Sequence, residues 1–376
     1  MAVSSRLFSK FSLTPSLQLA NRVVVAPMCQ YSADEGCATD WHLAHWTSLL
    51  NSGAATVIIE ATGVVPEGRI TPRCLGLWDD RTEAALADKL HRARALAPAE
   101  KPAVIIQLAH AGRKGSSAVP WEGGQLLSLD QGGWTTVGPS AIPQLVNERP
   151  PAALSEADLT SLTKSFVASA KRAQRVGVDG IELHGAHGYL IHSFLSPLSN
   201  QRSDQYGGMG FENRIRYPLE LFRAMRSEVS CVLGVRLSAT DWVDGGWNVD
   251  ETAELVSRLK AEGCDYVHVS SGGLSPQQKI SLGPGYQVPF ARLIKDRTGL
   301  PTIAVGLITE PQQAEQIVAA GDADLVALAR AFLYKPRWGW EAAAALGGTV
   351  SASAPYWRCL PREAQSVFGQ TRIGQR

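Results

Sequence analysis

No run of ~18 or more uncharged apolar residues occurs in this 376-residue chain, so no membrane-spanning helix is expected. An excess of charge of one sign is also missing. The 36 basic and 35 acidic residues leave a net charge of +1, which gives no reason to expect nucleic acid or an anionic membrane as partner. The six cysteines (Cys29, Cys37, Cys74, Cys231, Cys264 and Cys359) are scattered without a C-x-x-C pair, which argues against a disulfide framework and a zinc ribbon. No apolar segment follows a basic N-terminal stretch, so secretion is not indicated and a cytoplasmic location is expected. No G-x-G-x-x-G follows the first strand, which leaves a Rossmann dinucleotide site unsupported. Hydrophobic residues make up 45% of the chain and aromatics only 7%, enough mostly aliphatic material for a sizeable core.

Eight short apolar, β-branched runs stand out, near residues 23–28, 56–61, 103–110, 180–187, 232–239, 266–271, 302–306 and 325–330. Several are too uniformly apolar for a half-exposed sheet and read as parallel strands buried on both faces. Apolar spacing near 3.6 predicts helices over Asp40–Leu50, Arg81–Leu96, Ser155–Val176, Glu212–Val229, Asp250–Ala261 and Pro311–Ala320. Ser155 with Asp158 has the spacing of a capping box. Gly53, Gly177, Gly263, Gly299 and Gly321 fall where helices turn back into strands, where a left-handed residue is often needed. Eight such units predict a (β/α)8 TIM barrel, α/β in class, as a single domain over 1–376. Two segments interrupt the pattern. Residues 111–154, rich in Gly, Pro, Ser and Trp, read as a lid inserted after strand 3, with Trp121 and Trp134 packed under it. Residues 347–376 read as a C-terminal tail.

In such a barrel the active site lies at the C-terminal ends of the strands. The polar residues expected there include Gln30, Tyr31, Glu60, Gln107, His110, Glu182, His184, His187, Tyr189, Arg236, Ser270, Ser271 and Arg330. The run His184-Gly-Ala-His187-Gly-Tyr189 is the most informative. Its two histidines suit a metal pair, a structural pair, or two N–H groups aimed at one ligand oxygen where negative charge develops. The third reading is favoured, with Tyr189, protonated at neutral pH, as proton donor. Arg236, inside an apolar strand, needs a partner: either a carboxylate such as Glu182 or a cofactor that becomes anionic on reduction. Gln107 is a satisfied core amide or a partner for a heterocycle's imide edge. Gly306, Ala329 and Arg330, after strands 7 and 8, stand where these barrels often bind phosphate. His42 and His45, near Trp41 and Trp46, read as packing or loop-anchoring residues.

The stretches Asn21–Tyr31 (NRVVVAPMCQY), Gln107–Arg113 (QLAHAGR), His184–Leu190 (HGAHGYL) and Asn200–Gly208 (NQRSDQYGG), with Glu212-Asn213-Arg214 and Arg236-Leu237-Ser238, run through nearly the whole chain. In this order they resemble the Old Yellow Enzyme family, in the branch that includes xenobiotic reductase A and the thermophilic-like ene-reductases. The resemblance implies bound FMN. It places Ala26, Pro27, Met28 and Cys29 along one side of the flavin, Ala61 and Gln107 against the ring, and Arg236 near its pyrimidine edge. Gly306, Ala329 and Arg330 would hold its phosphate. It implies an NADPH dehydrogenase or ene-reductase, fed by NADPH or NADH, that reduces C=C bonds of α,β-unsaturated carbonyl or nitro compounds. His184 and His187 would bind the substrate, Tyr31 would touch it, and Tyr189 would protonate it. Leu307 stands where relatives carry an aromatic. The tail (Tyr356, Trp357, Arg358) implies a homo-oligomer, dimer or tetramer, in which Trp357 reaches a neighbouring active site.

Overall fold

The computed structural model describes residues 5–369 and residue 371. Eight parallel strands close into a barrel: β1 (Val23–Val25), β2 (Thr56–Gly63), β3 (Ala103–Ala109), β4 (Gly180–Gly185), β5 (Val232–Ser238), β6 (Val267–Ser270), β7 (Thr302–Val305) and β8 (Leu325–Leu328). Each pairs with its sequence neighbours, and β8 pairs with β1. Every residue of these strands is buried. That is why they read as continuous apolar runs: one face meets the barrel interior and the other the helices.

The helices that cover the strands are α1 (Asp40–Leu50), α2 (Asp80–Ala95), α3 (Glu156–Val176), α4 (Phe211–Arg226), α5 (Val249–Ala261), α6 (Val288–Thr298), α7 (Pro311–Ala319) and α8 (Trp338–Leu346). Helix α3 shows how its sequence sets its limits. Ser155 Oγ accepts from the Asp158 amide at 3.2 Å, and Asp158 Oδ2 accepts from the Ser155 amide at 2.8 Å, closing the capping box. At the other end Gly177 takes φ +85°, a conformation that a side chain would oppose. Two of these helices escape the periodicity reading. Helix α6 has Pro289 in its first turn and follows a Gly-Pro-Gly turn, and α8 is Ala- and Trp-rich with little polar contrast between its faces.

The sequence reading also passed over a two-stranded antiparallel hairpin, Phe11–Thr14 with Leu17–Leu19. Its Leu13 and Leu19 pack with Val24, Ala55, Ala103, Val232 and Ile303 from the early parts of the strands, so the hairpin seals that end of the barrel. The chain after α8 returns to the same end. Ser353 Oγ donates to Asn51 Oδ1 at 2.6 Å, and the backbone of Gly348 lies against the Phe8 ring. Residues 370 and 372–376 of the tail lie outside the described residues. Segment 111–154 holds three single-turn helices and the short strand pair Val137–Gly138 with Ala152–Ala153. Trp121 does not pack beneath it. It is 63% exposed and meets Tyr31 edge-on, with ring centroids 5.9 Å apart. Among the described residues no helix is long and apolar enough to cross a membrane.

Candidate active site at the barrel mouth

Backbone strain concentrates where the strands end. Of the non-glycine residues with left-handed φ, Tyr31 (+49°) follows β1, His187 (+59°) follows β4, Trp242 (+57°) follows β5 and Leu307 (+49°) follows β7. Conformations of this kind cost about 1–3 kcal/mol each and persist where surrounding contacts hold them. At His187 those contacts are visible. Its amide donates to Ser238 Oγ at 3.0 Å, and its carbonyl accepts from Lys114 Nζ at 2.8 Å. Lys114 also donates to the Gly273 carbonyl at 2.9 Å, tying the start of the insertion to the loops after β4 and β6. Gly188, the next residue, has no room for a side chain, because a Cβ there would come within 2.3 Å of the Gly273 carbonyl.

This turn brings His184, His187 and Tyr189 together. The His184 ring meets His187 edge-on at 5.3 Å between centroids and Tyr189 at 4.9 Å. The Ala186 amide donates to His184 Nδ1 at 3.3 Å, which makes Nδ1 an acceptor and puts the ring proton on Nε2. His187 Nε2 lies 2.8 Å from Ser270 Oγ. Gln287 Oε1 already accepts from Ser271 Oγ at 2.6 Å, while its distance to Ser270 Oγ is 3.5 Å. The Ser270 proton is therefore best spent on His187 Nε2, leaving His187 with N–H at Nδ1. Burial, with the nearby Arg236 charge, pushes both histidines well below their usual pKa, so both rings are neutral near pH 7. Burial likewise pushes the Tyr189 hydroxyl well above its usual value and keeps it protonated.

Deeper in the mouth, β3 to β6 place a second group in register. Gln107 pairs with Glu182, His184 with Arg236, and Arg236 with His268. Glu182 is fully buried and accepts three hydrogen bonds: from Gln107 Nε2 (2.7 Å), Tyr266 OH (3.2 Å) and His268 Nδ1 (3.0 Å). Burial alone would raise its pKa, but His268, Arg236 and Gln107 together hold it below the usual value, so it is a carboxylate. Burial and Arg236 lower the His268 pKa, which makes the Glu182–His268 contact a hydrogen bond from a neutral ring. Arg236 does not form the ion pair with Glu182 that its position allowed. Its side chain makes no hydrogen bond among the described residues, and its Nε is buried without a partner. Because a carboxylate only accepts, Gln107 must turn its NH2 toward Glu182. Its carbonyl oxygen then remains as an acceptor.

The other expected site residues divide by place. Ala26 is buried at the end of β1, and Pro27, Met28 and Cys29 follow it, half-buried. Ala61 lies where the β2–β3 register shifts between Ile59 and Thr62. The Cys29 thiol, raised well above its usual pKa by burial, sits beside the Ala61 backbone and close to Tyr31. Gly306, Ala329 and Arg330 line a cavity of about 510 Å³ that runs to Arg236 and Ser270. Tyr31 and Tyr189 face a second cavity of about 370 Å³, walled by Arg113, Lys114, Leu126 and Leu145 of the insertion. Trp357 is not at its own barrel's mouth. It packs with Trp340, Val350 and Phe368 beyond the sealed end, and its indole N–H donates to the Ala352 carbonyl at 2.9 Å. His42 anchors a loop as expected, its Nδ1 accepting from the Thr39 amide at 3.0 Å and its Nε2 lying 3.7 Å from Glu60. Glu60 in turn accepts from the Gln30 amide at 3.0 Å. Sequence reasoning missed Lys114, His268, Tyr266 and Gln287. Lys114 is one residue beyond the QLAHAGR stretch, and that adjacency was its only signal.

Comparison with known proteins finds relatives over nearly the whole chain. The family model described as "NADH:flavin oxidoreductase / NADH oxidase family" matches residues 6–346. A NADPH dehydrogenase of Geobacillus thermodenitrificans is 42% identical over 354 residues, covering 94% of this chain and 98% of the relative. A NADH:flavin oxidoreductase of Gibberella zeae is 40% identical over 353 residues, covering 89% and 84%. Among solved structures, morphinone reductase matches with a TM-score of 0.72 at 24% identity, covering 94% of this chain and 92% of that one. The complex of 2-naphthoyl-CoA reductase with 2-naphthoyl-CoA matches with a TM-score of 0.80 at 23% identity; this chain spans 52% of that reductase. At those identities the two structures speak for the barrel alone.

The mouth suits FMN on its own chemistry. The Gln107 carbonyl offers an acceptor and the Arg236 guanidinium offers donors, the two kinds of partner that a flavin's imide edge takes, where a ring N–H lies next to a carbonyl. The cavity from Arg236 to Arg330 has room for the rest of the molecule and ends at a cation suited to phosphate. The chain is thus an oxidoreductase that uses FMN and NAD(P)H, and it belongs to the NADH:flavin oxidoreductase / NADH oxidase family.

Proposed function

We propose that this enzyme reduces the C=C bond of small α,β-unsaturated carbonyl or nitro compounds. The observation that carries the reading is the close cluster of the His184, His187 and Tyr189 rings, with both imidazoles held neutral and the phenol held protonated by burial. His184 Nε2–H and His187 Nδ1–H bind one substrate oxygen and draw electron density from the alkene, as an oxyanion hole does. Tyr189 gives its proton to the α-carbon. Tyr31 flanks the substrate, and segment 111–154 acts as a lid that keeps water from the cavity beneath it. Ala26, Pro27, Met28, Cys29, Ala61, Gln107 and Arg236 hold the isoalloxazine, and Gly306, Ala329 and Arg330 hold the phosphate. FMN supplies, when bound, the hydride that NAD(P)H delivers to it.

The test separates the two half-reactions. Tyr189→Phe should slow reduction of cyclohexenone by roughly 10²–10⁴-fold, the usual cost of losing a general acid. Flavin reduction by NADPH should stay near the wild-type rate. Equal losses in both halves would remove Tyr189 from the role.

We also propose a homo-oligomer in which the tail approaches a neighbour's mouth. Tyr356 is 39% exposed and Arg358 is exposed, while Trp357 is engaged in its own cluster. Removing the residues beyond 350 should change both association and substrate range; unchanged values of both would end that reading.

A further inference from the structure

Glu182 does no chemistry in the scheme above, yet it is fully buried and ionised at the centre of the mouth. Its two oxygens are used unequally. Oε2 accepts from Tyr266 OH (3.2 Å) and His268 Nδ1 (3.0 Å), and Oε1 accepts from Gln107 Nε2 (2.7 Å). Tyr266 immediately precedes β6, and its ring lies across Gly234, the residue paired with Glu182. The chain thus arranges a glycine and three donors around this one carboxylate.

We propose that Glu182 is a positioning residue for the cofactor: its charge compels Gln107 to present a carbonyl oxygen to the flavin, and it opposes the Arg236 charge that favours the reduced anion. An isolated glutamine side chain gains little from either amide orientation. A carboxylate at 2.7 Å removes the choice, because it has no proton to give. The proposal rests on the FMN site and is independent of the alkene-reduction reading.

Glu182→Gln tests it with little change of shape. Tyr266 and His268 both donate to one side of residue 182, so the single carbonyl of the new glutamine belongs there. Its NH2 must then face Gln107. Gln107 turns over to accept from it and presents its own NH2 to the flavin's ring N–H, donor against donor. The dissociation constant of FMN from the holoenzyme should rise about tenfold or more, and the midpoint potential of the remaining bound flavin should rise, since an anion beside it is gone. Gln107→Leu should weaken FMN to a similar degree, and the double variant should be no worse than either single one. Glu182→Asp keeps the charge while withdrawing it from Gln107 by one carbon, so it should weaken FMN with little change of potential. If Glu182 is only a structural anchor, E182Q lowers thermal stability while FMN affinity and potential stay as in the wild type, or its effect on FMN adds to that of Q107L; either result overturns the proposal. Should E182Q not fold, an E182D enzyme that binds FMN as tightly as the wild type overturns it too. Failure of alkene reduction in the parent enzyme would touch none of these readouts.

Discussion

The hydroxyl oxygen of Ser270, at the end of β6, lies 2.8 Å from Nε2 of His187, which sits beyond the end of β4 and 83 residues earlier in the chain. With the Ser270 hydroxyl donating, the contact leaves the His187 hydrogen on Nδ1, the one offered to a substrate. Ser270→Ala should release that choice. Part of the population would move its proton to Nε2, and kcat/KM for an enone should fall roughly three- to tenfold, the worth of one neutral hydrogen bond. Nitrogen-15 NMR of the imidazole would show the shift of tautomer directly; an unchanged spectrum would mean that Ser270 does not set it.

Among the described residues, the Arg236 side chain makes no hydrogen bond, and its Nε is buried. Its charge should stabilise a reduced, anionic flavin. Arg236→Ala is expected to lower the midpoint potential and to weaken FMN binding by roughly 10–100-fold, as for a hydrogen bond to a charged group. Potentiometric titration and fluorescence of released FMN measure the two effects. Full occupancy at an unchanged potential would reduce Arg236 to a packing residue.

The buried histidines make stability depend on pH in a definite direction. Burial lowers His110 to about 4 and pushes His184 well below 6.5. Below pH 6.5 the unfolded chain takes up protons on these rings and the folded chain does not, so stability falls as pH falls. Each such histidine contributes a slope of up to about 1.4 kcal/mol per pH unit between its folded and unfolded values. Thermal unfolding of the FMN-saturated protein should show Tm declining from pH 7 to 5; a flat profile would mean that these rings titrate normally in the fold.

Gly234 lies in the middle of β5, where a glycine is otherwise a poor choice. A Cβ there would stand 2.2 Å from the Tyr266 ring. Gly234→Ala should therefore displace Tyr266 from Glu182 and cost about 1–3 kcal/mol, the usual penalty for overpacking. The midpoint of urea unfolding reports it. If stability is unchanged, the ring has somewhere else to go.

How much of this could be read from the sequence follows from the range of the interactions. The eight strands were legible because parallel strands buried on both faces leave continuous apolar runs, and Gly177 and Ser155 marked the limits of α3. His184, His187 and Tyr189 were legible as a group because one turn carries all three. Ser270 was expected at the rim but not its contact with His187, and His268 and Tyr266 were not expected at all, because only barrel closure brings residues so far along the chain to His187 and Glu182. Trp121 was misplaced because a loop rich in Gly and Pro gives no periodicity from which to infer a buried face. Trp357 carried no sign of which end of the barrel the tail would choose.

That the tail returns to the sealed end, with Gly348 against Phe8, has a practical outcome. Phe8, early in the described chain, and Gly348, at the start of the tail, thus meet on the side away from the chemistry. An exchange that empties that contact, such as Phe8→Ala, should lower stability by loosening the tail while leaving every residue of the reacting face in place.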